Sequence, residues 1–266
     1  MIDEWLTKLI NFIFPYQKDF DGNEKLYWDK YWSKMIDYYK NYGEIFEIRD
    51  KWDFCCNEAL HSHYKAIIKE ILNKDFKNLK CIECGCGGGY ESTLMARDGA
   101  EVTVLDYSEK AIEYAKIVNQ RMGILNKIKF VKSDIFDFCI DEKHDLVWNC
   151  GLIEHYQDNE IVQMIKKMMD LAKNNGLIVI TIPNLLSPQS IYWMLTTGKS
   201  SEKYISHRKL KTLMKRSGLK YVEIKNFPYW LPSFLPAEWA VKISKNKLLN
   251  NLKILCWLFS GIGLKI

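Results

Sequence analysis

The amino-acid sequence predicts a doubly wound α/β fold built on a mostly parallel sheet. Three observations carry the prediction. Short apolar runs alternate with longer segments of helical periodicity from about residue 60 to residue 226. The first run, 79–84, opens directly into Gly85-Cys86-Gly87-Gly88-Gly89, and the second, 102–105, ends in Asp106. Parallel strands need helical crossovers, so strand–helix alternation implies a sheet covered on both faces. Ligands in such sheets sit beyond the carboxyl ends of the strands. That rule gathers Gly85, Asp106, Asp134 and Asn149 onto one rim.

The elements follow in order. Residues 1–50 are rich in aromatics, among them Trp28, Tyr31, Trp32, Tyr38, Tyr39 and Tyr42, at helical rather than alternating spacing. Leu60, Tyr64, Ile67, Ile68, Ile71 and Leu72 keep the rhythm of a helix lying on a sheet. Strand one is 79–84, followed by a helix over 90–98 that Gly99 stops. Strand two is 101–105. Ser108 is placed to cap a helix that runs to about residue 121. Strands three and four are 128–131 and 145–149. A helix over 158–172 collects Ile161, Val162, Ile165, Met168 and Met169 on one face, and strand five, 177–182, stops at Pro183. A polar connection, 185–206, leads to a basic helix over 207–216 that ends at Gly218, then to strand six, 219–227. A last antiparallel strand near 255–265 is left open by periodicity alone.

The bulk properties narrow the class. At 266 residues and 48% hydrophobic content, one domain with insertions is the simplest arrangement. The net charge of +5 is mild, is spread along the chain and argues for no nucleic acid. The basic cluster 199–220 reads as a solvated helix face. The eight cysteines are scattered, and Cys81-x-x-Cys84-x-Cys86 lacks the second cysteine or histidine pair of a metal site. They read as reduced thiols of a cytoplasmic protein, with no metal. Asp3 and Glu4 precede only a short apolar stretch, so no signal peptide is expected, and no run reaches membrane-span length. The stretches 5–14 and 248–259 read as amphipathic helices. His61 and His63 read as solvated or capped residues, not ligands.

The glycine turn sets the ligand. Glycine lets the backbone turn tightly and approach a bound group. The amides at the start of the next helix then point into the turn. An Asp at the end of the second strand accepts from both hydroxyls of a ribose. The dinucleotide pattern G-x-G-x-x-G, started at Gly85, needs glycine at position 90, where the chain has Tyr. A nucleoside without a pyrophosphate is the better fit.

The motif Glu83-x-Gly85-x-Gly87-x-Gly89, with Asp106 at the next strand end, resembles the S-adenosylmethionine loop of the class I S-adenosylmethionine (SAM)-dependent methyltransferases, over roughly residues 60–226. The resemblance implies a Rossmann-like sheet of seven strands, with S-adenosyl-L-methionine as cofactor. It implies that Glu83, Gly85 and Gly87 shape the amino-acid end of the pocket, with Gly89 giving close packing. Asp106 would take the ribose, Tyr107 would border the adenine, and Asp134, in Ser133-Asp134-Ile135, would accept from its amino group. Ile135 and Asn149 are placed beside them, and Tyr31 in an N-terminal lid. The segment Gly151-Leu152-Ile153-Glu154-His155 resembles the Glu-His segment of small-molecule methyltransferases, including the ubiquinone-pathway O-methyltransferases. Relatives with E-x-x-E-H bind a metal there; here Gly151 replaces the first carboxylate, which puts that metal in doubt.

Glu154 and His155 are thus the catalytic candidates, His155 as general base because imidazole titrates near neutral pH. Structural or substrate-orienting work is the alternative for His155. Tyr192, Trp193 and His207 lie where related enzymes build the acceptor pocket. The sequence after strand four has neither the Asn/Asp-Pro-Pro-aromatic nor the Pro-Cys pattern of the family's nucleic-acid enzymes, which favours a small organic acceptor over nucleic acid; the expected methylation is on oxygen, with nitrogen or carbon as the alternatives. The proline-broken apolar stretch with Phe227, Tyr229, Trp230, Leu231, Phe234 and Trp239 fits a lipophilic acceptor, a membrane surface or ordinary packing. The expected division is an aromatic helical lid, 1–58, and a SAM-binding domain, 59–266, with an acceptor-site insertion at 185–206 and an apolar segment at 227–266. An NAD-linked oxidoreductase and a SAM-fold interaction module without turnover are the other classes considered.

Overall fold

A computed structural model describes residues 24–41, 58, 60–124, 127–187, 190–191, 195, 203–227 and 258–266. Tyr192, Trp193, the stretch 5–14 and Tyr229 to Trp239 lie outside the described residues.

The described chain forms helix α1 (Glu24–Asn41), helix α2 (60–72), β1 (Lys80–Cys84), α3 (Tyr90–Arg97), β2 (Glu101–Asp106), α4 (Glu109–Arg121), β3 (Ile128–Lys132) and β4 (His144–Cys150). A single 3-10 turn follows (Ile153–His155), then α5 (Asp158–Leu171), β5 (Ala172–Pro183), α6 (His207–Arg216), β6 (Lys220–Asn226) and β7 (Leu258–Leu264). The seven strands make one sheet in the order β3-β2-β1-β4-β5-β7-β6. β1 to β5 pair in parallel, and β7 runs antiparallel to both β5 and β6. The expected last antiparallel strand is present, inserted between its neighbours and not added at the edge.

Period-two alternation sends side chains to two buried layers. On one face, Cys81, Val102, Val104, Leu146 and Trp148 pack against Tyr64, Ile67 and Ile68 of α2 and Met95 of α3. On the other, Ile82, Val147, Ile178 and Ile180 pack against Ile161, Met164, Ile165 and Met168 of α5 and Leu210, Leu213 and Met214 of α6. The strands are buried on both sides, which is why they read as apolar runs and not as alternating ones. α1 adds an outer layer, laying Trp32, Met35 and Ile36 on Tyr114 and Val118 of α4.

Local chemistry ends the helices where the sequence suggests. Ser108 caps α4, its Oγ accepting from the Ala111 N–H at 3.1 Å, a cap worth about 1 kcal/mol. Ser206 caps α6 in the same way through Lys209. β5 begins earlier than its apolar run, because the polar residues 172–176 extend it to pair Ala172 with His144 across an irregular register.

His61 corrects the sequence reading. It is 1% exposed, not solvated, with Nδ1 2.6 Å from Glu91 Oε1 and Nε2 3.0 Å from Asp98 Oδ2. As an imidazolium the ring donates to both carboxylates. Burial opposes that charge, but Glu91 and Asp98 outweigh it and hold the pKa above its ordinary value. His61 shares the inward face of α2 with Tyr64 and Ile68, a position the helical period permits once two carboxylates pair the ring. His63 is half-buried against Phe227, and burial with Lys225 lowers its pKa to about 4.

Candidate active site

The glycine turn leaves β1 and is laced to the end of β2. Gly85 N–H and Cys86 N–H both donate to the Leu105 carbonyl, at 2.8 and 3.1 Å. Gly87 has φ +48°, in the left-handed region that favours glycine, and a Cβ there would lie 2.8 Å from Cζ2 of Trp32. At Gly89 a Cβ would lie 3.1 Å from Cβ of Ala115, so the expected close packing is found between α3 and α4. Glu83 is buried behind the turn and accepts from Ser92 Oγ at 2.5 Å. Burial pushes its carboxyl well above the ordinary range, with the Ser92 bond pulling the other way.

Asp106 closes the turn from the neighbouring strand. Its Oδ2 accepts from Gly87 N–H at 3.0 Å and its Oδ1 from Ser108 N–H at 2.9 Å. The carboxylate offers about four acceptor sites, so it can still accept from a ribose beside its backbone donors. Burial raises this carboxyl to about 6, against the pull of the backbone N–H groups of Ser108, Gly87 and Tyr107. Ser108 Oγ lies 2.6 Å from Asp29 Oδ1, which ties α1 to the same rim.

Beyond β2 and β3 a pocket of about 400 Å³ is lined by Lys25, Tyr107, Lys132, Asp134, Phe136 and Tyr156. Asp134 is exposed at its mouth and accepts from Phe136 N–H at 2.9 Å. Ile135 is buried beneath it. The space has aromatic walls, one carboxylate at the edge and Asp106 between it and the glycine turn. This donor and acceptor set fits the adenosine and methionine parts of SAM. Glu83, Gly85, Gly87, Asp106, Tyr107 and Asp134 are the residues that would hold it.

The turn after β4 presents the catalytic candidates. Glu154 is 1% exposed and His155 is 8% exposed. The Trp28 ring meets His155 edge-on, with centroids 5.4 Å apart. Burial, then Glu154 and Glu83, push the neighbouring Cys150 thiol far above its ordinary range, so an acidic group gathers at the ends of β1 and β4. Among the described residues no cluster of three or more His, Cys, Asp or Glu is arranged to hold a metal.

Other expected residues fall differently. Asn149 is next to last in β4, and alternation turns its side chain to the face opposite Glu83 and Asp106. There it is fully buried and donates to Met168 Sδ at 3.3 Å, which corrects its place as a rim residue. Tyr31 is 39% exposed and packs on Trp28 and Trp32, which themselves reach His155 and the glycine turn. His207 pairs its Nε2 with Asn226 Oδ1 at 2.6 Å and stacks on Phe259 at 4.0 Å, over the β6–β7 side of the sheet. Asp29, Ser92, Phe136 and Tyr156 were missed. Only the S-x-x-x capping position hinted at one partner, Ser108, and nothing local marks the others.

A seven-stranded sheet with this topology, a glycine turn after β1 and a carboxylate ending β2 defines the Rossmann-like methyltransferase class. The chain belongs to the family described as a methyltransferase domain, whose model matches residues 75–230. It is an enzyme, and SAM is its cofactor. It is similar to the ubiquinone biosynthesis O-methyltransferase of Pelagibacter ubique (strain HTCC1062), 27% identical over 193 residues, covering 65% of this chain and 78% of that protein. A second protein of that name, from Ruegeria pomeroyi, is 28% identical over 188 residues, covering 67% of this chain and 73% of its own. Among solved structures, magnesium protoporphyrin IX methyltransferase from Synechocystis PCC 6803 with bound SAH (S-adenosylhomocysteine) shares the fold at TM-score 0.55 and 16% identity, covering 88% of this chain and 99% of that one. These comparisons support neither the oxidoreductase nor the interaction module. No helix among the described residues is long and apolar enough to cross a membrane.

Proposed function

We propose that this enzyme transfers the methyl group of SAM to an oxygen atom of a small organic acceptor, with His155 as general base. When bound, SAM supplies a methyl group already activated by its sulfonium. The acceptor oxygen would form the new bond to that carbon as the carbon–sulfur pair left with sulfur. His155 takes the hydroxyl proton of the acceptor as its oxygen attacks. Glu154 stands beside it, buried on the same turn. Asp106, Glu83 and the glycine turn would hold the nucleoside and amino-acid ends. Positioning of this kind lowers barriers by about 7–11 kcal/mol in favourable intramolecular cases, so little further chemistry is asked of the protein.

One observation carries the reading. A buried histidine stands on the turn just beyond β4, on the rim that also bears Asp106 and Gly87. The O-methyltransferase names of the sequence relatives support oxygen over nitrogen or carbon. α1 serves as a lid over this rim, since it brings Trp28 to His155, Asp29 to Ser108 and Trp32 to Gly87. Residues 59–266 are the methyltransferase domain in this reading.

The test is methyl transfer from labelled SAM to a panel of phenols and catechols, with and without a short prenyl tail, read by mass spectrometry. An O-methyl product supports the proposal. Label carried to none of these hydroxyls, or only to ring carbon, overturns it.

A further inference from the structure

Within the turn that carries His155, the His155 N–H donates to the Leu152 carbonyl at 3.4 Å and the Tyr156 N–H to the Ile153 carbonyl at 3.1 Å. A turn this short leaves its last carbonyls without partners of its own. Both carbonyls flanking His155 are met by one residue. Lys203 N–H donates to the Glu154 carbonyl at 3.2 Å, and Lys203 Nζ donates to the Tyr156 carbonyl at 3.0 Å.

The Lys203 side of this contact is anchored. Tyr204 is 7% exposed and packs with Leu185, Ile205 is buried in the core under α6, and Ser206 caps that helix. A cation suits the carbonyl end of a helical turn, and a charge-assisted bond is the stronger kind. The strap therefore ties His155 to the segment that enters α6.

We infer that Lys203 is a positioning residue for methyl transfer: it grips the backbone on both sides of His155 and fixes the imidazole against the acceptor segment. The inference rests on His155 acting as the base proposed above. Lys203 touches neither cofactor nor acceptor in this role. Its contribution appears in how often the imidazole stands in line with the acceptor oxygen. The Lys203→Met variant keeps the backbone bond to Glu154 and loses the ammonium bond to Tyr156. Lys203→Arg restores a cation able to donate to the same carbonyl.

The experiment compares wild type, Lys203→Met, Lys203→Gln and Lys203→Arg, using a prenylated catechol as acceptor. SAH affinity is measured by calorimetry and backbone amide exchange by mass spectrometry. Expected is a fall of about tenfold in kcat for Met and Gln, with acceptor KM and SAH affinity changed less than about threefold. Arg should recover most of the rate. Amide exchange over 151–156 should speed up in Met and Gln while β1 and β4 stay protected. Wild-type kcat in both neutral variants, or unchanged exchange over 151–156, overturns the inference. So does a loss of SAH affinity as large as the loss of rate. If wild type methylates no oxygen acceptor, the proposed function fails, and exchange over 151–156 alone decides the role of Lys203.

Discussion

Replacing Asp106 by Asn tests the cofactor site at its most constrained point. The carboxylate accepts from Gly87 and Ser108 through different oxygens, at 3.0 and 2.9 Å. An amide has only one acceptor oxygen, so one of those backbone donors would face an NH2 group. The ribose diol also loses a charged acceptor. Hydrogen bonds to charged groups contribute about 1.5–3 kcal/mol, roughly twice the neutral kind. Two ribose bonds weakened by half, together with a loosened glycine turn, come to about 2–3 kcal/mol. That corresponds to an SAH dissociation constant raised about 30- to 150-fold. Calorimetry near neutral pH measures it, with a thermal melt to show that the variant is folded. A folded variant whose dissociation constant stays within about twofold of wild type would refute the ribose assignment.

Three further outcomes follow from named contacts. Burial raises Asp106 to about 6, above the ordinary aspartate value of about 3.9, so between these two pH values the folded state holds the extra proton. Its contribution to apo stability therefore falls as pH rises through that window, while SAH affinity rises because the ionised form accepts better; parallel melting and calorimetric titrations showing the same slope for both would contradict this. His155→Gln should lower single-turnover methyl transfer about 100-fold, within the usual range for a general base, and leave SAH affinity nearly unchanged. Equal rates in the two proteins would remove His155 as base. Gly89→Ala places a Cβ at φ +61° and 3.1 Å from Ala115, which should cost about 1–2 kcal/mol and lower Tm by about 2–8 °C. A melt superimposable on wild type would show that α3 and α4 have room to part.

Much of the fold was legible because its signals are local. β1, β2, β4 and the apolar half of β5 are continuous hydrophobic runs, as strands covered on both faces must be. Ser108 and Gly99 punctuate the helices next to them. The start of β5 was invisible, since Ala172 pairs with His144 ahead of an irregular register and the polar residues 173–175 carry no apolar pattern to announce it. The cofactor side of the site was legible to the same degree. Glycine spacing and a strand-end carboxylate are written within a short stretch of chain. Partners from distant segments were not. Asp29 reaches Ser108 across 79 positions and Lys203 reaches Tyr156 across 47, and no periodicity encodes such encounters. Asn149 was misplaced for a simpler reason: standing near a strand's end fixes height above the sheet but not which face a side chain takes.

The placement of β7 bears on how the molecule is made. β5 emerges from the ribosome well before β7, yet β7 is the strand that covers its free side and connects it to β6. Until Leu258–Leu264 has been synthesised, the nascent sheet carries a raw, apolar margin open to wrong partners. Production of this enzyme in a cell should therefore be sensitive to translation speed and chaperone supply while the stretch between β6 and β7 is being made.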